Sequence, residues 1–234
     1  MKQRIEFNFH SNFDEAISLS PAEAADFAKK HGIPAMALTD RNSIQGFTQF
    51  ELECNRAGIR PILGVEIIHG NIEEEYPFAS HILVKNEIGF KNLNSILSLL
   101  RYDGACETVP FSVLDKYHDG LLYGSGGTFG PLYHETNYNI IANEMKKYSE
   151  FYDYFEIDNR EHGRATERTN KIIIDSAKQT GKPIVAVGYE IINPLEYILH
   201  STEEMLDEFS YLGEDTYDIV VENTYKVLDL LDEK

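Results

Sequence analysis

Short, almost uninterrupted apolar runs alternate along the chain with segments in which apolar residues recur at helical spacing. Three boundaries between a predicted helix and a predicted strand share one pattern. The helix ends with lysine or arginine, then come a glycine, a proline two or three residues later, and an apolar run. The pattern occurs over 29–40, 55–67 and 178–190. Glycine accepts the left-handed conformation that ends a helix, and proline cannot continue one. Apolar runs without alternation are typical of strands covered on both faces. The pattern predicts repeated helix–strand units and a parallel sheet.

Seven strands are predicted from the apolar runs, at 4–10, 35–40, 61–67, 81–86, 120–125, 152–158 and 183–189. Helices are predicted after Ser20, where Glu23 completes a capping box, and over 44–57, 87–101, 164–181 and 216–231. A second capping box, Ser201 with Glu204, opens a helical extension over about 201–234. Because no linker interrupts the pattern, residues 1–234 are expected to form a single domain. Periodicity alone leaves an open sheet and a barrel as alternatives, with a slight preference for the sheet.

Composition narrows the classes of protein that the chain could belong to. The 234 residues are 42% hydrophobic, enough for a sizeable core. The net charge of -18 argues against a strong DNA-binding surface, which needs lysine and arginine to displace counterions from phosphates. The two cysteines, Cys54 and Cys106, lie in no metal or redox motif and are expected to be inert thiols. With neither a membrane span nor a signal peptide in the sequence, the expected location is the cytoplasm.

Polar residues at the ends of the predicted strands are the candidates for a functional site. In chain order they are Asn8, His10, Asp40, Arg41, Glu66 and His81. Asn8 and His10 alternate, so their side chains share one face of the first strand. A carboxylate at a strand end, as at Glu66, can bridge two metal ions. Each residue taken alone is equally compatible with a structural role.

The glycine-rich segment GSGGTFG (124–130) follows the fifth predicted strand. It lacks the GK[ST] of a phosphate-binding loop, which argues against nucleotide binding. It also lacks the GxSxG pattern of a hydrolase nucleophile elbow. A tight turn from strand to helix is therefore predicted.

The order of these segments resembles the PHP (polymerase and histidinol phosphatase) domain, and most closely that of PolC-type bacterial DNA polymerase III alpha subunits. The resemblance is carried by IEFNFHSNF, GIPAMALTDRNSIQGF, HILVKNEIGFKNL, DGLLYGSGGTFG and KPIVAVGYEIINP, and it covers essentially the whole chain. It implies a distorted TIM-like (β/α)7 barrel, in agreement with the seven predicted strands. It also implies a cluster of up to three zinc or manganese ions, which active members use to hydrolyse phosphoesters. The exonuclease that PolC-type polymerases insert between strands three and four is replaced here by residues 68–80.

Matching the family's metal ligands to this chain implies that most of them have been replaced. The substituted positions are Asn8, Ile17, Arg41 and Gly127, and the last ligand region falls near Glu190. His10, Glu66 and His81 remain as vestigial ligands, with Asn8 and Asp40 adjacent. Arg41 is predicted to pair with Glu66 or Asp40 and to supply the positive charge of a lost metal. Asp14 or Glu190 could compensate for a lost ligand.

Three functions follow from these expectations. The first is an inactive structural and interaction module in DNA replication, with other DNA polymerase III subunits or domains as partners and no cofactor. The second is a free-standing metal-dependent phosphoesterase, of the 3′–5′ exonuclease or phosphatase type, with one or two zinc or manganese ions. The third is a binding protein for an anionic ligand, anchored by Arg41. The first is favoured, because a metal site needs its full coordination set and the polymerase domains are absent from this sequence.

Overall fold

The computed structural model describes residues 1–14, 18–70, 77–102, 107–134, 147–158, 163–193 and 196–233. Side chains are described for all of these except residues 102, 134, 189–193 and 196–197. Structural statements below refer to this part of the chain.

All seven predicted strands form, most of them shorter than predicted. They are β1 (Glu6–Phe9), β2 (Ala35–Leu38), β3 (Arg60–His69), β4 (Phe78–Val84), β7 (Leu121–Gly124), β8 (Phe155–Ile157) and β9 (Ile184–Ala186). Two antiparallel pairs were not predicted, β5 (Arg101–Tyr102) with β6 (Glu107–Thr108), and β10 (Tyr189–Asn193) with β11 (Glu196–Leu199).

The strands follow one another around the fold in chain order. The main sheet has the order β1-β2-β3-β4-β7, a bridge from Gly124 to Tyr154 leads to β8, and β8 pairs with β9. The prediction of a parallel sheet is wrong for β4, which runs antiparallel to both β3 and β7. Only residues 70–77 separate β3 from β4, and a parallel crossover needs a dozen or more residues.

Apart from residues 111–116, where no helix was predicted, the helices lie close to their predicted positions. They are α1 (Pro21–His31), α2 (Phe47–Ala57), α3 (Glu87–Leu97), α4 (Phe111–Lys116), α5 (Arg164–Ala177), α6 (Thr202–Glu208) and α7 (Asn223–Asp232). Both predicted capping boxes form, at Ser20 and at Ser201. The glycines that end helical segments, Gly32, Gly58 and Gly181, have φ values of 68°, 79° and 73°. Within the described ranges, no helix combines the length and the apolar character that crossing a membrane requires.

The centre of the fold is one apolar cluster with members in β1, β2, β3, β4, β7 and β9, and with Tyr154 directly before β8. Its members are Ile5, Phe7, Ala35, Ala37, Ile62, Leu83, Leu122, Tyr154, Val185, Val187, Val227 and Leu231. A second, larger cluster lies between the strands and the helices. This arrangement of inner and outer layers is that of the predicted distorted barrel.

The last helix connects the two end strands of this ladder. Among the residues that the structure describes, β1 and β9 do not pair with each other. Instead, the amide side chain of Asn223 donates to the carbonyl of Ile184 in β9 (2.8 Å), and the hydroxyl of Thr224 accepts from the N–H of Ile5 before β1 (3.1 Å). The start of the last helix is therefore hydrogen-bonded both to β9 and to the residue before β1.

His69, the last residue of β3, is buried and 1% exposed. Its Nε2 lies 2.8 Å from the hydroxyl of Ser80, which in turn lies 2.9 Å from the hydroxyl of Tyr152. Aromatic rings of Phe78 and Phe111 flank the imidazole, at centroid distances of 6.3 Å and 5.6 Å. Burial lowers the pKa of His69 to about 3, because an imidazolium ion loses its hydration there.

The substitution His69→Gln is expected to make the domain less sensitive to acid. The unfolded histidine has a pKa of about 6.5. Below that pH the unfolded chain binds a proton that the folded chain does not, so stability present at neutral pH is lost as the pH falls. Between pH 7 and pH 5, His69 should account for a loss of about 2 kcal/mol. Glutamine keeps a hydrogen bond to Ser80 without titrating.

The measurement for His69 is chemical denaturation of the wild type and the variant at both pH values. The wild type should lose about 2 kcal/mol more than His69→Gln on acidification. Equal losses in the two proteins would show that His69 takes up a proton in the folded state.

Candidate functional site

The three retained ligand candidates meet beside the carboxyl ends of β1 and β3. His10 follows β1, while Glu66 in β3 lies directly opposite His81 in β4. One ligand atom from each residue lies within 4.8 Å of the other two, and all three residues are buried. The antiparallel pairing of β3 with β4 places His81, in the middle of β4, beside Glu66.

The distances within this cluster match a single metal ion. Oε2 of Glu66 lies 3.8 Å from Nε2 of His10 and 3.8 Å from Nε2 of His81. These separations are too long for hydrogen bonds. Donors that share one zinc ion, each about 2.0–2.2 Å from it, lie roughly 3–4 Å apart in tetrahedral geometry. The imidazoles and the carboxylate also belong to the donor types that zinc prefers. The three residues fit one ion.

A carboxylate lies behind each histidine. Nδ1 of His10 is 3.1 Å from Oδ2 of Asp14, and Nδ1 of His81 is 2.9 Å from both oxygens of Glu156. Within the described part of the chain, Nε2 of His81 has no hydrogen-bond partner although it is buried. Metal-binding histidines commonly donate their other N–H to a carboxylate in this way.

The buried charges in the cluster depend on one another. Burial alone would raise the pKa of Glu66, but His10, His81 and Arg41 lower it far below its usual range. Burial alone would lower the pKa of His81, but Glu156 and Glu66 raise it to about 10. The Glu66 carboxylate therefore lies beside two cations, Arg41 and protonated His81, and a metal ion would displace the proton from Nε2 of His81.

Arg41 forms the ion pair that was predicted from the sequence. Its Nε lies 2.9 Å from Oε1 of Glu66, and its side chain is 49% exposed. Asp40, the other predicted partner, instead accepts hydrogen bonds from the N–H (2.6 Å) and the hydroxyl (2.8 Å) of Ser11. Burial raises the pKa of Asp40 to about 6, although both of these donors oppose the shift. Asp14 supports His10 and takes no place among the ligand atoms.

Two other positions predicted from the family have described side chains, Asn8 and Gly127, and they offer neither an imidazole nor a carboxylate. Asn8 accepts a hydrogen bond from the hydroxyl of Thr39 (3.3 Å). A Cβ added to Gly127 would lie 2.4 Å from Oδ2 of Asp158, so this carboxylate fills the space that a larger residue would need. Ile17 and the side chain of Glu190 lie outside the described residues.

Glu156 and Asp158 are site residues that the sequence reasoning missed. Both are buried at the carboxyl end of β8, and both bind the glycine-rich turn 124–130. The signal was present as two acidic residues in alternation at the end of an apolar strand, where their side chains share a face. The prediction of a tight turn at 124–130 is confirmed, with Gly126 at φ 80°.

The substitution Arg41→His is expected to lower stability without creating phosphoesterase activity. It removes the ion pair with Glu66 and restores one of several missing ligands. Because half of the Arg41 side chain is exposed, solvent screens the pair and the expected loss is about 0.2–1 kcal/mol. Chemical denaturation and hydrolysis of bis-p-nitrophenyl phosphate with zinc or manganese would measure both effects. Unchanged stability, or metal-dependent turnover, would contradict this interpretation of Arg41.

The sequence was compared with known protein families and with known proteins. The family model described as "PHP domain" matches residues 6–160. The chain is 30% identical over 188 residues to DNA polymerase III PolC-type of Clostridium perfringens, covering 64% of this chain and 13% of that protein. It is 32% identical over 197 residues to the Bacillus subtilis protein of the same name, covering 67% of this chain and 14% of that protein. The chain thus spans about one seventh of the length of these relatives.

Two solved structures share the fold at low sequence identity. An amidohydrolase from Chromobacterium violaceum, solved with bound sulfate and no metal, gives a TM-score of 0.56 at 13% identity. A protein from Bifidobacterium adolescentis described as a metal-dependent phosphoesterase gives a TM-score of 0.52 at 11% identity. Each alignment covers 79% of this chain and 86% of the other. These likenesses support the predicted fold class.

Proposed function

Because the chain belongs to the PHP domain family, we propose that it serves as a PHP module of a PolC-type DNA polymerase III, with a metal centre reduced to one ion. The proposal rests mainly on the contact between Nε of Arg41 and Oε1 of Glu66 (2.9 Å). That contact places a fixed cation where the family has a metal-ligating histidine. Other domains or subunits of the polymerase are the proposed partners, because an acidic domain with net charge -18 is poorly suited to hold DNA alone.

One divalent ion is the most that the retained donors would hold. His10, Glu66 and His81 supply two imidazoles and one carboxylate oxygen, while Arg41 takes the second oxygen of Glu66. A bound ion would supply positive charge that fixes three strand ends to one another. Such an ion would stabilise the module as any ligand of the folded state does.

Hydrolysis of phosphoesters is not expected from this arrangement. The exposures of His10, Glu66 and His81 are 3%, 1% and 1%, so a phosphoester has little access to the donors. Asp40 is bound to Ser11 and is not arranged to take a proton from a nucleophilic water. A phosphoesterase centre of several ions would need donors that Asn8, Arg41 and Gly127 do not provide.

A phosphoesterase with a single ion is the second candidate function. The observation that favours it is the donor set itself. Catalytic zinc sites commonly use three protein ligands and leave a fourth position for water, whereas structural sites usually have four protein ligands. Arg41, half exposed beside Glu66, could then stabilise a phosphoryl group.

Metal content and hydrolysis, measured on the same preparations, test the proposal and separate the two candidates. Wild-type protein and Glu66→Ala would be loaded with zinc or manganese, dialysed and analysed for bound metal. They would then be assayed on bis-p-nitrophenyl phosphate and on single-stranded DNA. We expect about one ion per chain in the wild type only, and equal background hydrolysis in both proteins. Turnover that Glu66→Ala abolishes would establish the second candidate, and absence of retained metal would disprove the one-ion site.

A further inference from the structure

The glycine-rich turn 124–130, to which the sequence assigns no function, pairs with His81 through Gly124 and also reaches the cluster through the side chain of Glu156. The backbone N–H of Gly126 donates to Oε2 of Glu156 at 2.6 Å, and the N–H of Glu156 donates to the hydroxyl of Ser125 at 2.9 Å. Glu156 is completely buried. Its carboxylate therefore lies between the turn and Nδ1 of His81 (2.9 Å).

We propose that Glu156 is a positioning residue that the turn 124–130 holds in place, and that it orients His81 for metal binding. This inference rests on the one-ion site proposed above. Nδ1 of His81 donates its proton to Glu156, so that Nε2 is the nitrogen directed at Glu66, 3.8 Å away. Because both oxygens of Glu156 lie at the same distance from Nδ1, the imidazole ring is held on the axis of the carboxylate.

The contact between Glu156 and His81 is specific to Glu156. The neighbouring buried carboxylate, Asp158, bonds to a different group. Asp158, two residues further along, accepts hydrogen bonds from the N–H (2.7 Å) and the hydroxyl of Thr128. Both of these bonds attach the Asp158 carboxylate to the turn. The turn therefore holds two buried carboxylates, and one of them is directed at the metal cluster. Asp158 gives a matched control for Glu156.

Zinc affinity of wild type, Glu156→Gln and Asp158→Asn, measured by competition with a chromophoric chelator, tests the proposal. Loss of a carboxylate behind a metal-binding histidine typically weakens affinity about 10–100-fold. We expect a loss in that range for Glu156→Gln and a change of less than about threefold for Asp158→Asn, because its contacts lie outside the donor set. Equal losses in the two variants would overturn the proposal, because general destabilisation of the turn would explain both. Wild-type affinity in Glu156→Gln would also overturn it.

A second measurement uses only the wild-type protein, in case Glu156→Gln fails to fold. Nitrogen-15 spectra of the histidine rings, recorded with and without zinc, identify which nitrogen carries the proton. We expect the Nδ1 proton of His81 to remain and Nε2 to shift when zinc binds. Zinc on Nδ1 would overturn the positioning role while leaving the one-ion site intact. A wild-type protein that binds no zinc would disprove the one-ion site and the positioning role together.

Discussion

Replacing Glu66 with alanine is expected to lower the free energy of unfolding by about 3–5 kcal/mol, the cost of removing one partner from a buried ion pair. Glu66 is 1% exposed, and its carboxylate faces His10, His81 and Arg41. Without it, the buried imidazolium of His81 loses one of the two carboxylates that stabilise its charge, the other being Glu156. Arg41 contributes less to this cost, because half of its side chain can be solvated.

Chemical denaturation at pH 7 with a chelator present would measure this loss without a contribution from metal. Glu66→Gln keeps the shape of the side chain and removes only its charge. It should therefore lower the free energy of unfolding by most of the amount that Glu66→Ala does. Glu51→Ala, at an exposed position of α2, should change stability by less than about 0.5 kcal/mol. A loss below about 1 kcal/mol for Glu66→Ala would be typical of a surface pair and would contradict a desolvated charge cluster.

Gly126→Ala is expected to destabilise the turn 124–130 strongly. Gly126 has φ 80°, and a Cβ built on it would lie 2.0 Å from the carbonyl oxygen of Ala79 in β4. The substitution therefore combines a left-handed conformation, which costs an L-residue about 1–2 kcal/mol, with overlap against backbone, which costs about 1–3 kcal/mol or more. The expected total is about 3 kcal/mol or more.

Gly181→Ala separates these two contributions. Gly181 has a similar φ of 73°, but nothing lies within 4 Å of an added Cβ. It should lose only the conformational part, about 1–2 kcal/mol. Thermal or chemical denaturation of both variants makes the comparison. Similar losses of stability at the two positions would show that β4 shifts to accommodate the added Cβ. The turn would then not be packed tightly against β4.

Loss of Gly126 should also affect the metal site. Its N–H holds Glu156, and Glu156 contacts His81. If Gly126→Ala folds at low temperature, its zinc affinity should fall as in Glu156→Gln. Gly181→Ala lies in a different turn, after α5, and should bind zinc as the wild type does. The pair therefore also tests whether the turn acts on the metal cluster.

Local sequence determined the elements of this protein. The apolar runs located all seven barrel strands, and the Ser20–Glu23 and Ser201–Glu204 boxes located two helix starts. These features depend on residues close together in the chain, where spacing and capping chemistry suffice. The resemblance to PHP domains, carried by those same runs, supplied the order of the strands and the retained residues His10, Glu66 and His81. It also implied that Arg41 stands in the place of a ligand.

Tertiary structure decided what those residues do together. The strand direction of β4 depends on the connection from β3 and on pairing with β7, which periodicity does not encode. The bond between His81 and Glu156 joins residues 75 positions apart in the chain. The choice of Glu66 over Asp40 as the partner of Arg41 depends on Ser11 having already bound Asp40. The two polar contacts depend on which distant groups reach one buried partner, and only the folded chain brings those groups within reach.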